Sequence, residues 1–203
     1  MSYSATLKRN REGRTNYRKR AAILISKSPF VTVKISSQNV MCQVLRSSLG
    51  GDFVISSVHS RELKNYGWKG SMNSIPACYL IGILAGKKTL ATGIKNAILY
   101  TGKDHFTSRI AACLKGIVAA GLDVPVSKDI LPEDTRTTGK HISEYAGKLK
   151  ADPEKYQKRF SSLLKGGLKP EDYPFHCEDI RRKILAAKKG EVNLREHKNE
   201  EAR

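Results

Sequence analysis

Lysine and arginine side chains crowd the first 29 residues of the chain, and these are the residue types that neutralise phosphate. The segment carries eight Lys or Arg and a single acidic residue, Glu12, for a net charge of +7. Asn and Tyr side chains stand among these cations. Every phosphate that a cation neutralises releases condensed counterions, so nucleic acid is the partner that such a segment favours most. A solvated basic tail or a localisation signal is the alternative.

The positive charge is unevenly spread along the 203 residues, whose formal net charge is +18. Residues 30–125 hold eleven basic and four acidic side chains, whereas residues 126–203 hold eighteen and fourteen. We therefore expect nucleic-acid contacts mainly in the first 125 residues.

Two further groups of side chains could contact RNA. Tyr66 and Trp68 could stack on unpaired bases while Lys64 and Lys69 hold the backbone, although a satellite hydrophobic cluster explains the two aromatic residues equally well. Lys34 and Arg46 fall on exposed positions of alternating strands. Charges at such positions more often serve solubility alone.

Catalytic chemistry finds little support in the sequence. Paired carboxylates could bind two metal ions in a nuclease, but Asp52, Asp104 and Asp123 fall at a turn, a helix start and a helix end, which are usual capping places. The histidines are scattered, and no cysteine pair has metal-ligand spacing. We expect the cysteines in apolar surroundings, Cys42, Cys78 and Cys113, to be buried reduced thiols. We therefore predict no enzyme activity, no metal, no cofactor and no small-molecule substrate.

The elements that must position these residues follow from hydrophobic periodicity. Residues 1–14 show no period and should form an arm without its own core. We predict helices over residues 15–26, 77–84 and 106–118, with Asp104 or Thr107 opening the third. Strands are predicted over residues 30–36, 39–46, 52–57 and 95–100, and a loop over 60–72. The order βββ-α-β-α predicts an α/β fold with a mixed sheet, in which the fourth strand is parallel to its neighbour because a helical crossover precedes it.

Three segments are expected from changes in composition. They are a basic N-terminal arm with a short helix (1–29), an α/β RNA-binding domain (30–125) and a helical C-terminal extension (126–203). Within the extension, helices are predicted over residues 142–149, 153–164 and 177–187, and a polar tail over 188–203. No apolar stretch has the length of a signal peptide or a membrane span, so we expect a cytosolic protein without a membrane partner.

Four stretches, in order between residues 8 and 187, resemble one known family. They are RNREGRTNYRKR (9–20), HSRELKNYGWKG (59–70) with the helix that follows, LKG through AGL to residue 127 (114–127), and HISEY (141–145) with residues 160–168. They resemble the 5S-rRNA-binding protein of the large ribosomal subunit, called protein eighteen in bacteria and archaea and protein five in eukaryotes. The C-terminal extension resembles the archaeal type.

The resemblance implies a structural protein of the cytoplasmic ribosome. It would bind 5S rRNA and help to anchor it to large-subunit rRNA in the central protuberance, with its C-terminal helices reaching that rRNA or neighbouring large-subunit ribosomal proteins. An RNA-processing enzyme and a non-specific nucleic-acid binder remain the alternatives. The candidate rRNA-binding residues are Lys8, Arg9, Asn10, Arg11, Arg14, Asn16, Tyr17, Arg18, Lys19, Arg20, Lys34, Arg46, Lys64, Tyr66, Trp68 and Lys69.

The chain departs from the family pattern in two places. Phe30 stands where a basic residue commonly enters the first strand. After the fourth strand, Tyr100-Thr101-Gly102 replaces an expected Asp-x-Gly.

Overall fold

The fold of this chain is a four-stranded sheet with helices before it, between its third and fourth strands, and after it. The computed structural model describes residues 6–102 and 104–187. The predicted tail from residue 188 lies outside them. In chain order the elements are α1 (Lys8–Arg11), α2 (Tyr17–Ser26), β1 (Phe30–Ile35), β2 (Val40–Ser48), β3 (Gly51–His59), α3 (Ile75–Ala91), β4 (Ile98–Leu99), α4 (Ser108–Ala119), α5 (Asp134–Thr138), α6 (Lys140–Leu149), α7 (Pro153–Lys165) and α8 (Tyr173–Ala186), with 3₁₀ segments at Ser60–Tyr66, Lys128–Ile130 and Pro170–Asp172.

The sheet has the strand order β3-β2-β1-β4, and the predicted βββ-α-β-α order is confirmed. β1 and β2 are antiparallel, as are β2 and β3. β4 pairs with β1 in parallel, as the helical crossover predicted. Only Ile98 and Leu99 of the predicted strand 95–100 belong to the sheet.

Helix α3 is longer than the predicted 77–84, because its C-terminal lysines are held by protein acceptors. Lys88 Nζ lies 2.8 Å from Glu62 Oε2, and Lys87 Nζ donates to the carbonyl oxygen of Ile184 at 2.8 Å. Two adjacent lysines resemble a solvated helix end in the sequence, yet here they are half-buried. At its N-terminus, the Ser74 hydroxyl accepts a hydrogen bond from the Ala77 N–H at 3.4 Å.

Helices α3 and α4 pack in backbone contact through glycines. A Cβ added to Gly82 would collide with the Cys113 carbonyl, and Gly86 faces Ala120 one turn later. Because the residue numbers rise together in both helices, α3 and α4 run parallel. Their N-termini therefore lie at the same end of the molecule.

Helix α4 opens at Thr107, one of the two predicted openings, and this leaves Phe106 of the predicted apolar stripe 106–118 outside the helix. Thr107 is the N-cap, so Phe106 precedes the helix and is 44% exposed. Val118 lies within the helix but is 41% exposed, because it points away from the face that Ile117 buries. The remaining positions of the predicted stripe, including Ile110 and Leu114, are buried as expected.

The C-terminal extension contributes to the same hydrophobic core as the α/β region. Tyr173, Cys177, Ile180 and Ile184 form the buried stripe of α8 and pack among core residues such as those of α3. The predicted helices of the extension are present as α6, α7 and α8, whereas the five-residue α5 was not predicted. Its Asp-Thr-Arg-Thr-Thr sequence has no hydrophobic period to reveal it.

The cysteines are buried and reduced, as predicted for three of them. Burial raises the pKa of the Cys78 thiol to about 12, so it stays protonated at neutral pH. A hydrogen bond with Cys42, together with burial, raises the pKa of Cys113 as well. Thiols in this state are inert parts of the core.

The two departures from the family pattern contact one another. The Phe30 and Tyr100 rings meet edge to face, with centroids 5.5 Å apart. Phe30 is only 3% exposed. A contact between the buried ring of Phe30 and the half-buried ring of Tyr100 thus occupies two positions that the family pattern would fill with a basic residue and an aspartate.

Candidate nucleic-acid interface

The N-terminal arm has local structure but no core. Its helix α1 has no buried residue. Arg9 closes the turn that follows, because its Nε donates to Thr15 Oγ1 at 2.9 Å and its carbonyl oxygen accepts from the Thr15 N–H at 3.2 Å. Gly13 permits the turn with a φ of 74°. The arm can therefore present its cations without being buried itself.

Glu12 pairs with a neighbouring arginine. Its Oε2 lies 3.0 Å from Arg14 Nε, while Lys8 Nζ approaches Oε1 at 3.9 Å. Arg14 stays largely exposed, so this contact adds little stability and mainly orients the arm.

Helix α2 turns its basic side chains outward. Asn16 caps its first turn, since its side-chain oxygen accepts a hydrogen bond from the Lys19 N–H at 3.2 Å. Ile23 is the buried residue of the helix, and Arg18 and Lys19 are exposed. Asn16, a candidate RNA contact, thus already has a structural partner, whereas Tyr17 is 36% exposed at the arm junction.

Arg20 is held by the protein. Its two terminal nitrogens bind the two carboxylate oxygens of Asp52 at 2.8 and 3.0 Å. This hydrogen-bonded carboxylate raises the pKa of Arg20. The pair fastens α2 to the start of β3 and uses much of the guanidinium's capacity to bind RNA. It also accounts for Asp52 without catalysis.

Several cations of the arm and α2 have no carboxylate partner in the part of the chain that the structure describes. All of them are exposed, and Asn10 is exposed beside them. They are Arg9, Arg11, Arg18, Lys19 and, at the left-handed C-cap of α2, Lys27. Lys27 was not among the candidate residues, although its place in the basic segment was a usable signal.

Lys34 and Arg46 are both exposed, but they lie on opposite faces of the sheet. Lys34 pairs with Met41 across β1 and β2, while Arg46 follows the buried residues Cys42 and Val44 in the two-residue period of β2. One flat ligand cannot cover both side chains. The register between strands decides this, and composition does not reveal it.

The segment predicted as a loop over residues 60–72 begins with a 3₁₀ segment that a capping box stabilises. Glu62 Oε1 accepts from the His59 N–H at 2.9 Å. Lys64 and Lys69 are exposed, and so is Arg61, which was not a candidate. These side chains could all reach a phosphate backbone.

Trp68 belongs to the protein core, so the structure supports the hydrophobic-cluster alternative for this residue. The side chain of Trp68 is 4% exposed. Its ring stacks on that of His176 with centroids 5.2 Å apart and meets that of Tyr173 edge to face with centroids 5.6 Å apart. Its Nε1 donates to the Ser71 carbonyl oxygen at 3.3 Å. Tyr66 is half-buried against the same core. Burial also lowers the pKa of His176, whose Nε2 accepts from the Lys69 N–H at 3.2 Å.

The described ranges 6–102 and 104–187 contain neither a metal-binding group of side chains nor a membrane-spanning helix. No group of three His, Cys, Asp or Glu side chains there could hold a metal ion. None of the helices in these ranges has the length and apolar character needed to cross a membrane.

Comparison with known proteins gives consistent matches. The family model of ribosomal large subunit proteins 60S L5 and 50S L18 matches residues 1–112. The large ribosomal subunit protein uL18 of Thermofilum pendens is 45% identical over 188 residues, which are 91% of this chain and 96% of that protein. Its counterpart in Ignicoccus hospitalis is 45% identical over 187 residues (90% and 91%), and that of Caldivirga maquilingensis is 42% identical over 187 residues (90% of each).

Proposed function

We propose that this chain, which belongs to the family of ribosomal large subunit proteins 60S L5 and 50S L18, binds 5S rRNA and helps to anchor it to large-subunit rRNA in the central protuberance. Family membership makes it a protein of the large ribosomal subunit, with rRNA and ribosomal proteins as partners and the cytoplasmic ribosome as its location. A structural role without catalysis fits this membership.

The observation that carries the proposal is the set of exposed cations on the arm and α2 that lack a carboxylate partner among the described residues. A cation already paired within the protein must break that pair to bind phosphate, whereas Arg11, Arg18 and Lys19 need not. Binding then releases counterions from the RNA without a compensating loss in the protein. The planar guanidinium group of arginine can also donate two hydrogen bonds at once to phosphate oxygens.

We propose different roles for different members of the candidate set. We propose direct phosphate contacts for the exposed cations of the arm and α2, and for Lys64 and Lys69 in the segment after β3. Tyr17 is free to stack on a base at the arm junction. Arg20 and Trp68 support the interface from within, and Lys34 and Arg46 contact different partners or different RNA segments because they face opposite sides of the sheet.

The test is a titration of labelled 5S rRNA in parallel with a DNA duplex of similar length and a folded RNA of other origin. We expect a strong preference for 5S rRNA. We also expect the logarithm of the binding constant to fall with the logarithm of the salt concentration with a slope of roughly −4. This value follows from about six phosphate contacts, each of which contributes about −0.7 to the slope. Equal affinity for all three nucleic acids would favour the non-specific binder. Cleavage or modification of the RNA during incubation would favour the enzyme.

A further inference from the structure

A groove at the far end of the molecule from the arm brings together the N-termini of α3 and α4. It encloses about 500 Å³. Its polar lining comes from three elements and the loops before them, namely Asn73, Ser74, Thr107, Ser108, Arg109 and His141. No carboxylate lines the groove within the described residues. None of the candidate rRNA-binding residues contributes to it.

Two parallel helix dipoles point their positive ends into this groove. The backbone contact between Gly82 and Gly116 holds α3 and α4 side by side in register. Parallel dipoles repel each other, and an anion at their shared N-terminal end offsets this repulsion. α3 is capped by Ser74, whereas no side chain caps α4.

Thr107 adds an unsatisfied polar group at this end of α4. Its hydroxyl oxygen is buried and has no hydrogen-bond partner in the described part of the chain. Threonine at an N-cap usually accepts from a backbone N–H of the first turn, but this one does not. Buried polar atoms without partners are rare in folded proteins, so this hydroxyl and the free N–H groups beside it are suited to a ligand.

Arg109 supplies a full positive charge that no acid of the described ranges neutralises. One terminal nitrogen donates to Asn73 Oδ1 at 2.8 Å, and the guanidinium makes no other hydrogen bond or ion pair among these residues. Asn73 is itself fixed, because its amide donates to the carbonyl oxygens of Ser36 and Ser37 at 2.8 and 3.0 Å. The Arg109 side chain is half-buried, and its hydrogen bond to Asn73 orients the guanidinium. Its remaining N–H donors stay available to a ligand.

We infer that this groove binds a backbone phosphate of 5S rRNA, as a second contact separate from the arm. Asn73 ties the groove to the β1–β2 turn, while Arg20 ties the arm to the opposite, hairpin end of β2. Nine residues of β2 separate the two ends by about 30 Å. The groove and the arm would then bind different segments of one folded RNA. The inference rests on the proposed function.

The most informative variant is Ser108→Asp. A carboxylate in the first turn of α4 favours the helix dipole, so the melting temperature of the free protein should stay the same or rise. The same carboxylate repels a phosphate, so 5S affinity should fall about tenfold or more. Misfolding would lower both the melting temperature and the 5S affinity, whereas occupation of the groove by an anion moves them in opposite directions.

Arg109→Gln and Arg109→Lys complete the test, with Ser162→Asp on the exposed surface of α7 as the matched charge control. Arg109→Gln should make the log–log salt slope shallower by about 0.7, the loss of one phosphate contact. Arg109→Lys should retain the slope but bind more weakly, and Ser162→Asp should bind like the unaltered protein. If Ser108→Asp and Arg109→Gln bind 5S rRNA as the unaltered protein does, the groove is not an RNA site. If the unaltered protein itself shows no preference for 5S rRNA over the other nucleic acids, the proposed function is rejected instead.

Discussion

Deleting residues 1–14 should separate RNA binding from folding. Every backbone hydrogen bond donated by residues 10–14 ends on an acceptor between Leu7 and Asn10, and α1 buries no side chain. The described part of the deleted segment therefore contributes nothing to the core. We expect the free energy of unfolding of the free protein to change by less than about 0.5 kcal/mol, which is typical of surface changes.

The same deletion should weaken 5S binding at least tenfold. It removes four cations together, Lys8, Arg9, Arg11 and Arg14, of which Arg14 is already engaged with Glu12. Charge-assisted hydrogen bonds to phosphate contribute roughly 1.5–3 kcal/mol each before ordering costs. The turn at Arg9 already orders part of the arm, which reduces this cost. A net loss of about 1.4 kcal/mol, or tenfold in affinity, is the lower bound that we expect.

Titration of labelled 5S rRNA with full-length and truncated protein measures this effect. The deletion also removes Glu12, so it lowers the net charge by three. The control lowers the net charge by the same amount on the exposed surface of the C-terminal extension, with the substitutions Lys148→Gln, Lys158→Gln and Arg159→Gln. If net charge alone governs binding, the control and the deletion will lose affinity equally. Equal affinities of the truncated and full-length proteins would refute the reasoning and would indicate that 5S recognition lies in the α/β region.

Three further predictions concern stability. Ile117→Ala should lower the free energy of unfolding by about 2–5 kcal/mol in urea titration, since Ile117 is fully buried, and an unchanged midpoint would contradict its place in the core. Gly116→Ala should destabilise by about 1–3 kcal/mol or more because its Cβ would collide with the Tyr79 carbonyl, whereas Gly147→Ala, in open space on α6, should stabilise by up to about 1 kcal/mol. Burial lowers the pKa of His176 from 6.5, so the unfolded chain binds more protons than the folded protein near that pH and stability falls as the pH drops through this region. The melting temperature of His176→Gln should depend less on pH there, and an identical pH profile would exclude His176 as the cause.

The order of elements was predictable because each one has its own periodicity. The alternation of β1 and β2 and the apolar stripe of α4 are local patterns that tertiary contacts reinforce. The ends of elements were less predictable, as α3 shows. Its Lys87 and Lys88 look like a solvated end, but acceptors on α8 and on the 3₁₀ segment after β3 hold them inside the fold.

The candidate interface was predictable in its charges and less so in its aromatic residues. The sequence indicates that the arm carries unpaired cations, because only one acid accompanies eight of them. It does not indicate that Trp68 is buried, because His176 and Tyr173, the rings that cover it, lie more than a hundred residues away. Nor does the sequence indicate that Asp52 binds Arg20, because these two residues are 32 positions apart.

The sequence by itself determined the family, the α/β order of elements and the basic arm, since these depend on residue types and local spacing. Tertiary structure alone decided which cations remain free, which face of the sheet Lys34 and Arg46 occupy, and that Phe30 and Tyr100 meet. It also decided that α3 and α4 run parallel and share one N-terminal groove. These properties depend on contacts between residues distant in the chain, and no local pattern encodes the distance between such residues.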